Sequence, residues 1–225
     1  MLKIKNLKIA LMVLLIPFIM ESCEIFGLEL QQPYEYDYEI GVPDNHVNLK
    51  TLDFIKSRPD LFSLLLEAIE YADAASLYSE ANATYILPTN RAFNSETESD
   101  LSYFQTHKLL FIENGDSLFV APSSMSFYPK EQVKEFLLYH IVRGKYTWSN
   151  LPAEPTWYDT YATADTAKVN MYLYKDRNPN ITFNNFNGHY KTNIRPRTSN
   201  LLSDEGAYIH VVESWLDRPT SDLFR

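Results

Sequence analysis

Apolar residues change their spacing once along this chain, near residue 147, and that change limits the folds open to it. Before it, they recur every three or four residues. In "PDLFSLLLEAIEYADAASLY" the residues Leu61, Leu64, Leu65, Ala68, Ile69 and Ala72 share one helical stripe, with Asp60 placed to cap its start. Leu49, Leu52 and Ile55 mark a shorter helix ahead of it, which has to stop before Pro59 because a residue preceding proline avoids the helical region. "PKEQVKEFLLYH" opens on Pro129, whose missing N–H costs nothing in a first turn, and sets Val133, Phe136, Leu137 and His140 on one face. After residue 147 the texture is that of strands. "TWYDTYAT", "AKVNMYLY", "NITFNNF" and "AYIHVVESWL" are rich in β-branched and aromatic residues and are separated by Asn, Pro, Gly and Asp. Within them "NMYLY" and "YIHVV" alternate, as a sheet with one covered face requires.

Helices first and strands later argue for an α+β domain. The early strand "ATYILP", closed by Pro88, joins the later ones through Tyr85 to Leu87, and "TNRAF" follows as a helical turn with Thr89 or Asn90 as cap and Phe93 as buried anchor. Residues 94–128 are less regular. "NGD" at 114–116 is a turn signal, and "SLFVA" beside it reads as one strand of a hairpin. No repeat of 20 to 50 residues is visible.

The first 22 residues have a separate character. Lys3, Lys5 and Lys8 precede an apolar run from Ile9 to Met20, and Ser22 and Cys23 follow it. As a helix this run would span only about 18 Å, short of the ~30 Å hydrocarbon core. Cys23, the single cysteine, can form no internal disulfide. Its position resembles the lipobox of bacterial lipoproteins, with Ser22 fitting and Met20 and Glu21 departing from the usual Leu and small residue. That resemblance implies a signal peptide over 1–22, a lipid on Cys23, membrane contact through that lipid, and a place in the bacterial cell envelope as a surface-exposed outer-membrane lipoprotein. Residues 23–45 then read as a tether, with a reach of about 25 Å if flexible, or its tyrosines dock as an edge strand. Removing 1–22 takes away three lysines and Glu21 and moves the formal charge from −9 to −11. So acidic a chain is unsuited to nucleic acid, which demands phosphate neutralisation.

Three segments in order resemble the fasciclin-type (FAS1) domain: "ATYILPTNRAF" its first signature, "FLLYHIVRGKYTWSNL" its Tyr-His segment, and "GAYIHVVESWL" its second signature. The likeness spans residues 46–218, leaving 219–225 as a C-terminal tail. Two departures stand out: part of 95–128 is an insertion, and "TSNLLSDEG" separates Asn200 from Gly206 where the family runs directly from Asn-Gly into its strand. The resemblance implies a wedge-shaped β-sandwich flanked by helices that acts at a cell surface by adhesion or ligand binding, without catalysis. It also carries a partner-binding role onto Tyr139 and His140.

The residues themselves offer little catalytic chemistry. Of the five histidines, His46, His107, His140, His189 and His210, no two lie closer than the 21 positions between the last pair, so no metal-ligand spacing is present. Gly-x-Ser-x-Gly is absent, and "DRNPN" lacks the glycine and glutamate of a calcium loop. No cofactor, metal or enzymatic activity is expected. His140 reads first as a satisfied polar group at the helix-to-sheet joint. His210 either lines the inter-sheet core or faces the helices. Trp148, Trp157 and Tyr158, in Pro-bounded sequence, either fill the core or present rings to a protein or glycan. A glycan-facing role would make the chain an accessory component of an outer-membrane uptake system.

Overall fold

The computed structural model describes residues 24–25, 28–29, 44–95, 101–113 and 116–224. The signal-peptide reading, Cys23 and most of the tether lie outside them. Residues 1–43 and 44–225 form two units. In the first, β1 (Glu24–Ile25) and β2 (Leu28–Glu29) form a two-residue antiparallel ladder.

In the second unit, α1 (Thr51–Ser57) and α2 (Pro59–Tyr71) follow the predicted stripes closely. Their caps do not follow local spacing. The Asp60 carboxylate accepts two bonds from the Arg58 guanidinium, at 3.0 and 2.9 Å, and leaves the helix start uncapped by a side chain. The first N–H of α1, that of Thr51, meets both carboxylate oxygens of Glu205 at 3.2 Å, an anion at a helix N-terminus supplied from 154 residues away. In α3 (Asn90–Phe93), Thr89 occupies the cap position without a side-chain bond, and Asn90 Oδ1 instead accepts from the Leu64 N–H of α2. A short turn, α4 (Tyr103–Thr106), precedes an isolated hairpin of β4 (Leu109–Glu113) and β5 (Asp116–Val120). This is the hairpin expected at 114–116, although the turn residues lie outside those described. Helix α5 (Lys130–Tyr139) buries Val133, Phe136, Leu137 and the adjoining His140, as the spacing predicts.

Two sheets form the sandwich. The first has the order β10-β11-β3-β6, from β3 (Ala83–Pro88), β6 (Ile141–Arg143), β10 (Pro196–Leu202) and β11 (Tyr208–Val212). The second has the order β7-β8-β9, from β7 (Thr156–Asp159), β8 (Lys168–Tyr174) and β9 (Asn180–Phe183). At the centre β3 pairs in parallel with β11, so strands from opposite ends of the chain lie side by side. Alternation divides the core in two. Tyr85, Leu87, Ile209 and Val211 face the helices, packing on Ile55, Phe62, Leu65, Phe93 and Leu137. Ile86, Val142 and Val212 face the second sheet, meeting Val169, Met171, Ile181 and Phe183. The architecture is therefore α+β, a two-sheet sandwich with its helices on one face, as expected.

Two strands lie outside the sequence expectation. β6 directly continues the Tyr-His segment, and β10 occupies the stretch read as a spacer between Asn200 and Gly206. That stretch is one arm of a hairpin, turned at Gly206 (φ +84°) and irregular in register around Asn200 (φ +59°). Residues 45–47 cover its outer edge. Leu202 N donates to Asn45 O at 2.9 Å and Val47 N to Leu202 O at 3.0 Å.

Phe183, fully buried between the sheets, tests this division of the core. Phe183→Ala is expected to lower unfolding free energy by about 3 to 5 kcal/mol, read as a lower urea midpoint at unchanged m-value; a loss under about 1 kcal/mol would contradict its placement.

Candidate functional site

The joint after α5 gathers polar groups from distant parts of the chain around residues 215–217, which follow β11 in no regular element. Buried backbone of this kind needs partners from side chains. His140 Nε2 accepts from Leu216 N at 3.0 Å, and His189 Nε2 accepts from Asp217 N at 3.0 Å. The Asp217 carbonyl receives Asn184 Nδ2 at 2.8 Å and the Tyr139 hydroxyl at 3.0 Å, and the Trp215 carbonyl receives the Tyr190 hydroxyl at 2.9 Å. The single Tyr139 hydroxyl proton is shared between the Asp217 carbonyl and the Lys168 carbonyl at 2.9 Å, and its oxygen accepts from Asn184 Nδ2 at 3.1 Å. Asn184 reaches these groups from a left-handed backbone (φ +46°), which Asn tolerates better than most residues. The Tyr190 ring stacks on Trp215 at 4.2 Å.

Each buried histidine bridges two backbone segments in a defined neutral form. His140 Nδ1 lies 2.8 Å from the Phe136 carbonyl, which can only accept, so Nδ1 carries the proton and Nε2 is free to accept from Leu216. His189 repeats this arrangement, with Nδ1 at 2.6 Å from the Lys191 carbonyl. His210 reverses it: Nε2–H donates to Tyr146 O at 3.1 Å, and Nδ1 accepts from Asn200 N at 3.2 Å. Its ring sits 5.8 Å from that of Phe183, so it lines the core between the sheets and not the helix face. Desolvation holds His140 and His210 down at about 4 against an ordinary 6.5, opposed by the carbonyl each donates to. Burial lowers His189 as well. Burial also pushes the Tyr139 hydroxyl up.

The candidate contact residues therefore do not converge. Tyr139 and His140 are 2% exposed and their polar atoms are occupied within the fold, so neither offers a polar group to a partner, although Tyr139 contributes to the lining of the cleft beside the joint. Trp157 and Tyr158, successive on β7, point to opposite sides. Tyr158 packs against the inter-sheet core, its ring 4.3 Å from Tyr146. Trp157 lies outside, against Phe186 at 5.3 Å and, at 5.0 Å, against Phe224 of the C-terminal turn Ser221–Phe224. Trp148 stands 44% exposed in the loop after β6, held by its N–H to Asn200 Oδ1 at 3.3 Å. Beside the joint lies a cleft of about 110 Å³ whose lining includes Tyr103, His107, Gln132, Phe136, Trp215 and Arg218. It is well under the ~300 Å³ of a small-molecule pocket. Among the described residues no three His, Cys, Asp or Glu side chains group as metal ligands, and no helix is long and apolar enough to cross a membrane.

No protein-family model and no curated protein matches the chain. Among solved structures it is similar to a FAS1 domain pair from the insect cell adhesion molecule Fasciclin I, with a TM-score of 0.51 and 13% identity. The match covers 76% of this chain and 51% of that one, so the chain spans about half the length of the structure it resembles. At this identity the likeness defines the fold, which is that of a FAS1 domain.

His140→Ala is expected to cost about 1 to 3 kcal/mol at pH 7, because it leaves the buried Leu216 N–H unpaired. The folded-state pKa values lie below the unfolded value, so the unfolded chain takes up protons first as pH falls. The stability held by these histidines is complete above about 6.5 and lost progressively down to about 4. Denaturation midpoints should fall over that window, and the deficit of His140→Ala should narrow at its lower end; a constant deficit from pH 7 to 4 would contradict the neutral assignment.

Proposed function

We propose that this chain is a cell-surface module that works by adhesion or ligand binding and not by catalysis, held at a bacterial envelope by a lipid on Cys23. The observation that carries the reading is the use of the joint's chemistry inside the fold: Tyr139, His140, His189 and His210 are committed to backbone groups that need them. What remains for a partner is surface. The FAS1 fold supports the same reading by analogy, since the solved structure it resembles comes from a cell adhesion molecule. The Cys23 position after an apolar run supports the anchor, and an acidic surface leaves membrane contact to the lipid.

Trp148 favours one kind of ligand. A large ring, 44% exposed and fixed through its own backbone N–H on a sandwich loop, suits stacking on a sugar face. As a second reading we propose an accessory glycan-binding component of an outer-membrane uptake system, which this exposed ring supports.

Palmitate labelling of expressing cells is expected to vanish in Cys23→Ala, and unchanged labelling would remove the anchor from the proposal. On an array of glycans and surface proteins, Trp148→Ala should weaken the strongest signal by about tenfold, near 1.4 kcal/mol. Equal binding by the variant, with an unchanged melting curve, would exclude Trp148 from the contact.

A further inference from the structure

The β4–β5 hairpin departs from the way the rest of the domain treats its strands. It belongs to neither sheet. Its base is anchored, with Leu109 packed on the core beneath the helices and the Tyr128 hydroxyl donating to the His107 carbonyl at 2.6 Å. Beyond that base its large apolar side chains face solvent: Ile112 is 74% exposed, Phe119 64%, Leu118 59% and Leu110 53%. Cross-strand partners share a face, so Leu110 and Phe119 with Ile112 lie on one side, and Phe111 with Leu118 on the other. Both faces are apolar. Among the described residues neither outer edge pairs with another strand.

Three of the four outer edges of the sandwich carry cover. Residues 45–47 cover β10, Ile194 bridges Phe183 of β9, and Thr160 bridges Val142 of β6. An open, apolar edge is a template for strand pairing, and the hairpin, bare on both edges and apolar on both faces, presents one to a β-strand. We propose that the hairpin is a homotypic docking element: β4 of one copy pairs antiparallel with β4 of a second copy about a two-fold axis through Phe111, making a four-stranded sheet.

Three observations select this occupant. Centred on Phe111, the pairing sets Phe111 against its own copy and Leu110 against Ile112, apolar on apolar, with Glu113 opposite Leu109 at the ends; β5 centred on Leu118 has the same kind of end pair, Asp116 to Val120, but also opposes polar Ser117 to Phe119 beside the centre. The antiparallel sense also sends the acidic ends apart. Glu113 and its counterpart would stand about 14 Å apart along the strands at ~3.4 Å per residue, beyond a ~10 Å screening length; parallel pairing would put them side by side. Those same acids, Glu113 and Asp116 at the tip, and the unpaired backbone edges work against burial in hydrocarbon. At ~150 Å² per large side chain, about half exposed, the hairpin carries roughly 500 Å² of apolar surface. Edge pairing along β4 covers part of that surface, so the contact is a small one, at the transient end of the range.

The test is disulfide trapping of the full chain in mild nonionic detergent, with Cys23→Ser removing the native thiol. Under copper-phenanthroline oxidation, Phe111→Cys is expected to give a dimer band, and Leu118→Cys, three strand spacings from its counterpart at ~4.8 Å each, a band at least tenfold weaker. Adding Ile112→Lys to Phe111→Cys should abolish the band while leaving the melting curve unchanged. Equal trapping at both positions, stronger trapping at Leu118, or none at either would overturn the β4 pairing. So would flotation with phosphatidylethanolamine–phosphatidylglycerol vesicles that Ile112→Lys abolishes in a chain that traps no dimer, an outcome that assigns the hairpin to a lipid surface.

Discussion

The domain depends on how three residues without secondary structure, Trp215 to Asp217, are held in place. Their backbone runs past the ends of α5 and β9, with Trp215 and Leu216 buried and Asp217 at the surface, and among the described residues no neighbouring strand pairs with it. Side chains of Tyr139, His140, Asn184, His189 and Tyr190 supply the missing partners. Each bond alone contributes about 1 kcal/mol net, but an unmade bond at a buried group costs ~1 to 3 kcal/mol. The groups come from the end of α5, the end of β9 and the loop beyond it, so the network fixes the helix against the second sheet. The Tyr-His pair at 139–140 faces both ways because Tyr139 reaches the second sheet through Lys168 and His140 reaches the segment after β11.

Legibility in the sequence followed the strength of the local pattern. Helices α2 and α5 carry clear apolar stripes, β3 is a short apolar run closed by Pro88, β8 and β11 alternate, and the split of β11 into Ile209 and Val211 against His210 and Val212 marks the division between the two cores. β10 is polar and half-exposed, and the irregular register around Asn200 breaks its alternation, so its seven residues read as a spacer. β6 has only three residues, too few to show a period. The cap on α1 escaped because Glu205 is 154 positions away, a distance at which spacing carries no signal.

The joint was half legible for the same reason. That His140 and His210 would be satisfied polar residues follows from their positions in a helical face and an alternating strand. Their partners do not follow, since Leu216 and Asn200 donate through the backbone, which every residue possesses. His189 and Tyr190 gave no cue beyond their type, and Asn184 gave only its place at a strand end where a left-handed residue is common.

Asn45 and Val47, bonded along Leu202 at the edge of the first sheet, have a mechanical meaning. A chain secured at its N-terminal end and pulled through its body would put force on this short parallel ladder before any helix. From β10 the load would pass sideways into β11 and the wholly buried β3, the best-supported strands of the domain. The helices and their core, on the far side of that sheet, would be spared until the edge gave way.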